Sequence, residues 1–146
     1  MKKIFMGILM AGIMIVSLTG CTTNKSYTYT VETGDKVKIT LNTTDGYDLS
    51  SDLPFTISKD GNNLSQGTFI QGSYYEQYVN AANTQGQIID KGSNDNIEYV
   101  FYSYNNSEYN YVIKIKNSNT ALLLGNPNSE EEAKNCFDLL SFNLEK

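Results

Sequence analysis

Apolar and polar positions alternate with a period of two through most of the chain, and that alternation predicts strands. Tyr27, Tyr29 and Val31 alternate with Thr28 and Thr30. After the turn Glu32-Thr33-Gly34-Asp35, Val37, Ile39 and Leu41 alternate with Lys36, Lys38, Thr40 and Asn42. This reads as a hairpin with one apolar and one wet face. Residues 43–53 read as a loop, with Asp45-Gly46 as its turn signal. Residues 54–58 read as a short strand, and Asp60-Gly61 turns it into a second arm over 64–70. Ser73-Tyr74-Tyr75-Glu76 then fits a helix capping box, with Tyr75, Val79 and Ala82 on one stripe and Gly86 past the end.

Gln87 to Asp90 reads as a brief strand before a polar loop over 91–96. The longest hairpin follows, 97–104 and 109–116, turning at Asn105-Asn106-Ser107-Glu108. Its first arm carries Ile97, Tyr99 and Phe101 on one face and Val100, Tyr102 and Tyr104 on the other, so it belongs where both faces are covered. Residues 121–124 read as a buried strand. Ser129-Glu130-Glu131-Glu132 is a second capping box, with three carboxylates where the helix dipole favours them. Ala133, Cys136, Phe137 and Leu140 continue at helical spacing, and 141–144 reads as a closing strand. The order predicts an α+β domain, a single twisted antiparallel β-sheet with two helices packed on it.

The first twenty residues follow a different logic. Lys2 and Lys3 precede an apolar run from Ile4 to Val16, too short for the about 20 residues of a membrane span. Leu18-Thr19-Gly20-Cys21 follows directly, and this stretch resembles the signal and lipobox of bacterial lipoproteins. The resemblance implies cleavage before Cys21, with Leu18, Thr19 and Gly20 as the recognition residues. It further implies a diacylglycerol thioether on Cys21, with palmitate-type chains, at the extracytoplasmic face of the cell membrane. The expected division is therefore 1–20 signal peptide, 21–26 tether, and 27–146 a single domain. Residues 96–146, with their long hairpin, acidic-capped helix and Leu140-Ser141-Phe142 ending, are similar to PsbP/Mog1-type domains of small lipoproteins. That family implies accessory or binding roles, and it brings no catalytic motif to carry over.

Composition narrows the chemistry. The chain has eleven basic residues, all Lys, against sixteen acidic ones, and a net charge of −5. Loss of Lys2 and Lys3 would leave it more acidic still, which disfavours nucleic acid as a partner. There is no His, so no imidazole serves as a base near neutral pH or as a zinc ligand. With Cys21 acylated, Cys136 has no disulfide partner, and its helical setting predicts burial as a small apolar residue.

Three constellations are left. The eleven tyrosines join an apolar face to a polar tip, suiting sugar stacking or protein contact, although sheets also favour Tyr for packing. Tyr102 and Tyr104, opposite the Ile97/Phe101 face near the hairpin tip, are the expected exposed binding pair. Asp45, Asp48 and Asp52, and separately Asp90 and Asp95, crowd two loops but match no calcium-loop spacing, so solvated turns are expected and no metal. A carboxylate-based hydrolase is the remaining catalytic option, without a Gly-x-Ser-x-Gly or Ser-x-x-Lys motif to support a serine nucleophile. The expectation is a non-catalytic, cofactor-free envelope protein. It would meet the membrane through Cys21 and bind an envelope protein or, alternatively, a glycan or cell-wall ligand.

Overall fold

The computed structural model describes residues 11–17 as backbone and residues 23–146 in full. Lys2, Lys3 and Leu18 to Cys21, on which the lipobox reading rests, lie outside the described residues. Within the described part the strands are β1 (Ala11–Ser17), β2 (Asn24–Val31), β3 (Lys36–Asn42), β4 (Tyr47–Leu49), β5 (Phe55–Lys59) and β6 (Asn62–Gln71). Helix α1 (Tyr75–Gln85) precedes β7 (Gln87–Ser93), β8 (Ile97–Tyr104), β9 (Glu108–Ile115) and β10 (Thr120–Asn126). Helix α2 (Glu130–Asp138) and β11 (Leu140–Glu145) complete the order.

Antiparallel strands and two helices give the expected α+β class, but the strands divide into two sheets rather than one. One sheet runs β1-β2-β3-β11, and the other β4-β5-β6-β10-β9-β8-β7. The division follows from the one-sided hairpin β2–β3. Its apolar face (Tyr27, Tyr29, Val31, Val37, Ile39, Leu41) is wholly buried, and it lies in one core with Phe55, Ile57, Phe69, Ile113 and Leu122 of the larger sheet. A hairpin joined edgewise to that sheet would leave this face wet, so it stacks instead. β11 then pairs with β3, Phe142 opposite Ile39, although the chain arrives from α2 beside the larger sheet.

α2 shares the core between the sheets. Phe101, Tyr111 and Phe137 form a continuous stack, with centroids 4.1 Å apart at each step and ring planes within 9°. The stack ties β8 and β9 to the helix. Ser129 caps α2 as expected, its hydroxyl accepting from the Glu132 amide at 3.1 Å. The reciprocal half of the box is replaced. Asn126 Oδ1 accepts from the Ser129 amide (3.3 Å), while Glu132 Oε1 accepts from the side chains of Asn126 (3.0 Å) and Asn128 (2.6 Å). α1 departs from expectation at its start: a 3-10 turn over Gly72–Tyr74 precedes it, and its N-cap is Tyr74, not Ser73, with no side-chain cap bond.

The hairpin turn of β2–β3 is pinned to the larger sheet. Asp35 Oδ2 accepts from Thr120 Oγ1 (2.7 Å), the Asn119 amide (2.8 Å) and Thr33 Oγ1 (3.1 Å). Thr120 is buried, so the carboxylate satisfies a hydroxyl that water does not reach. At the other end of β2, Lys25 meets Asp48 at 2.8 Å in an ion pair open to solvent.

Candidate functional site

α1 covers only part of its face of the larger sheet. Ile70, Tyr75, Ala82, Val100, Tyr102, Val112 and Ala121 form the buried cluster beneath it. Residues two apart on a strand share a face. Asn110 therefore joins Val112 on the α1 side, Gly125 joins Ala121 through Leu123, and Gln66 joins Ile70 through Thr68. The register aligns these beyond the edge of the helix. Thr56 stands opposite Gln66, Gln66 opposite Gly125, Gly125 opposite Asn110, and Asn110 opposite Tyr102.

The uncovered part of this row is a trough of about 410 Å³, with Thr56, Gln66, Asn110 and Gly125 among its lining. Leu64 and Pro127 supply apolar wall, and Glu108 the one carboxylate. Gly125 keeps the floor open. A Cβ there would meet a single atom, Asn110 Oδ1 at 3.0 Å. Side-chain amides offer donors and acceptors without charge, so the trough suits a neutral ligand bearing hydroxyl or amide groups. A second recess of about 390 Å³ shares Leu64 and continues to Tyr47, Lys59, Ser129 and Asn135.

Tyr102 and Tyr104 are not the exposed pair expected of them. Both face away from Phe101, as the alternation predicts, but α1 lies over that face and Tyr102 is only 5 % exposed. Tyr104 is half-buried and packs edge-on against Tyr102 at 5.4 Å. Burial raises the hydroxyl pKa of both, with the neighbouring Tyr104 adding to the effect on Tyr102. Most tyrosines serve the two cores. Tyr29, Tyr75 and Tyr111 are buried, and desolvation pushes Tyr75 up to about 12 and raises the other two strongly.

These shifts set an alkaline limit. The folded tyrosines hold protons that unfolded ones release near pH 10, so their contribution is intact below pH 10 and declines above it. Each such residue then costs about 1.4 kcal/mol of stability per pH unit up to its folded pKa. The expected result is cooperative unfolding above about pH 11, with the buried tyrosines ionising in the same step. Titration of all eleven tyrosines near pH 10 with circular dichroism unchanged would contradict it.

None of the remaining acidic candidates lines the trough. Asp48 is paired with Lys25, Asp90 accepts from the Tyr99 hydroxyl at 3.1 Å, and Asp52 and Asp95 are exposed. Among the described residues no group of three His, Cys, Asp or Glu side chains is placed to hold a metal. Cys136 is fully buried, as its helical setting predicts; burial pushes its thiol pKa up, against the opposing hydrogen bond with Ser65. Asn126, which sequence reading did not single out, is a buried hub. It donates to Ser65 (3.0 Å) and Glu132 and accepts from the Asn128 and Ser129 amides.

Comparison of the chain with protein families, with curated proteins and with solved structures gives no match.

Proposed function

We propose that this chain is a lipid-anchored extracytoplasmic protein of the cell envelope that binds rather than catalyses. The observation that carries the location is Leu18-Thr19-Gly20-Cys21 directly behind a short apolar run with Lys2 and Lys3 in front. Two acyl chains on a residue this close to the domain hold it stably, since each buried CH2 contributes about 0.8 kcal/mol. The binding reading draws support from the trough, whose polar lining is mostly neutral amides and hydroxyls, with Glu108 a lone carboxylate that has no second one beside it in the lining. The one described cysteine is buried with its thiol pKa raised, which suits packing and not nucleophilic attack.

Growth with an alkyne-tagged fatty acid tests the anchor. The wild-type chain is expected to carry the tag, to partition with membranes and to begin at Cys21 by mass spectrometry. Cys21→Ala is expected to lose the tag and retain residues 1–20. An untagged wild-type chain, or a first residue other than Cys21, overturns the assignment.

The row Gln66–Gly125–Asn110 favours a second reading, that the trough takes a glycan or cell-wall fragment. Gly125 is in extended strand, so Gly125→Val fits the backbone and fills the floor. Soluble wall oligosaccharides are expected to shift the NMR amide signals of Asn110 and Gln66 in the wild type and to bind Gly125→Val at least about tenfold more weakly, a loss of about 1.4 kcal/mol. Signals unmoved by the oligosaccharides would remove this reading.

A further inference from the structure

The smaller sheet ends in β1, and β1 is the strand that the expected processing removes. It pairs antiparallel with β2, Met14 opposite Tyr29, Ile15 opposite Thr28, Val16 opposite Tyr27 and Ser17 opposite Ser26. The expected cut between Gly20 and Cys21 falls between β1 and Asn24, where β2 begins. After cleavage no covalent link holds β1, and the outer edge of β2 loses its partner.

β2 itself stays. Its other edge is paired without interruption to β3, from Asn24 opposite Asn42 to Thr30 opposite Lys36. Its inward side chains Tyr27, Tyr29 and Val31 are buried in the core between the sheets. What cleavage frees is therefore a row of backbone donors and acceptors on a rigid support.

The other sheet edges are protected in ways natural proteins use against unwanted pairing. β4 is three residues long. β7 carries an irregular register between Ile88 and Asp90, then the charged pair Asp90-Lys91. β11 is flanked by the β7–β8 loop, whose Asn96 side chain donates to Asn143 Oδ1 at 3.3 Å, and the strand ends at Glu145. β2 has no such feature from Ser26 to Val31: it carries no proline and no charge, its pairing with β3 is unbroken, and the one irregularity in its pairing with β1 is an extra residue between Ala11 and Met14, on the side of β1.

We propose that processing turns the β2 edge into an acceptor for an extended, uncharged segment of a partner protein, added as an antiparallel strand in the register β1 occupies. This rests on the lipid-anchored reading of Cys21. The chemistry of the incoming strand follows from the segment seated there, Gly12-Ile13-Met14-Ile15-Val16, which is uncharged and apolar. Its location follows from the chain: Asn24 is three residues from Cys21, within about 10 Å of the acyl chains at full extension. The partner segment is thus one that an envelope protein presents at the membrane surface.

Hydrogen exchange on the processed, lipidated protein in detergent micelles tests this. The probe is a peptide of residues 11–17 with two lysines added at each end; the control is the same peptide with proline at positions 13 and 15. The probe is expected to slow exchange of alternate amides between Ser26 and Val31 by about tenfold or more, leaving β8 to β10 unchanged and the control without effect. Equal exchange with and without the probe overturns the acceptor. So does protection before any peptide is added together with a dimeric mass, which would assign the edge to a second copy. A chain that retains residues 1–20 overturns both this proposal and the anchor, and the mass of the N-terminal peptide separates that case from the others.

Discussion

Tyr111→Ala is expected to destabilise the domain by about 4 kcal/mol, the range for deleting a large buried aromatic. The ring is the middle member of the Phe101–Tyr111–Phe137 stack, and its removal leaves a cavity between a central strand and α2 that neither neighbour can close. Tyr99 also leans on both Tyr111 and Phe137, at 5.7 and 4.7 Å, so the loss spreads through four rings. Tyr111→Phe keeps the stack and is expected to cost under about 1 kcal/mol. Urea unfolding of the three proteins gives the answer. A domain of this size has about 5–15 kcal/mol in all, so the alanine variant should unfold at much lower denaturant. Equal midpoints for Tyr111→Ala and Tyr111→Phe would show that the stack contributes little.

Gly67→Ala should be nearly as damaging, for the opposite reason. Gly67 sits directly across from Phe55 in the β5–β6 pair, and the Phe55 ring lies where a Cβ would go. Phe55 cannot step aside: it is wholly buried and packs against Tyr29 with centroids 6.3 Å apart. A single added methyl group is expected to cost about 3 kcal/mol, at the upper end for overpacking. Pairing it with Phe55→Leu provides the check, since the smaller side chain vacates the space. The double variant should be more stable than the sum of the two single losses predicts, by about 1 kcal/mol or more. Strict additivity would mean that the ring and the glycine do not interact.

Local pattern carried much of this fold. The alternation in 27–42 and 97–116 gives strands β2, β3, β8 and β9, and Ser129 marks the start of α2 because the cap depends on residues next to it in sequence. Asp60-Gly61 likewise turns β5 into β6 with both residues at positive φ, 51° and 83°. What depends on distant partners was not legible. A strand's alternation says which face is apolar but not which sheet it joins, so the pairing of β11 with β3 and the resulting second sheet escaped. Tyr102 was expected outside because it lies near the hairpin tip; the two apolar faces of its strand call for cover on both sides without saying that α1 reaches as far as Tyr102. β4 is three residues long, with too few positions to show a period. β2 begins at Asn24, ahead of the expected domain start at Tyr27, because Asn24-Lys25-Ser26 has no alternation to read. The trough was hidden for a related reason. Gln66, Gly125 and Asn110 are far apart in sequence and meet only through the registers of β6, β10 and β9.

The two attachments at opposite ends of β2–β3 differ in kind, and that difference gives the domain a direction in which to breathe. At the turn, Asp35 fastens the Asn119 amide and the buried Thr120 hydroxyl through short bonds, and the second breaks only at the cost of leaving a buried group unsatisfied. At the start of β2, Lys25 and Asp48 meet in the open, where water replaces either partner and the pair is worth about 1 kcal/mol or less. The sandwich is latched on one side and loosely tied on the other. Its smallest thermal openings should begin beside Lys25 and swing about the Asp35 latch, wetting the long bond from the Tyr29 hydroxyl to the Ser50 carbonyl (3.3 Å) before anything near Thr120 moves.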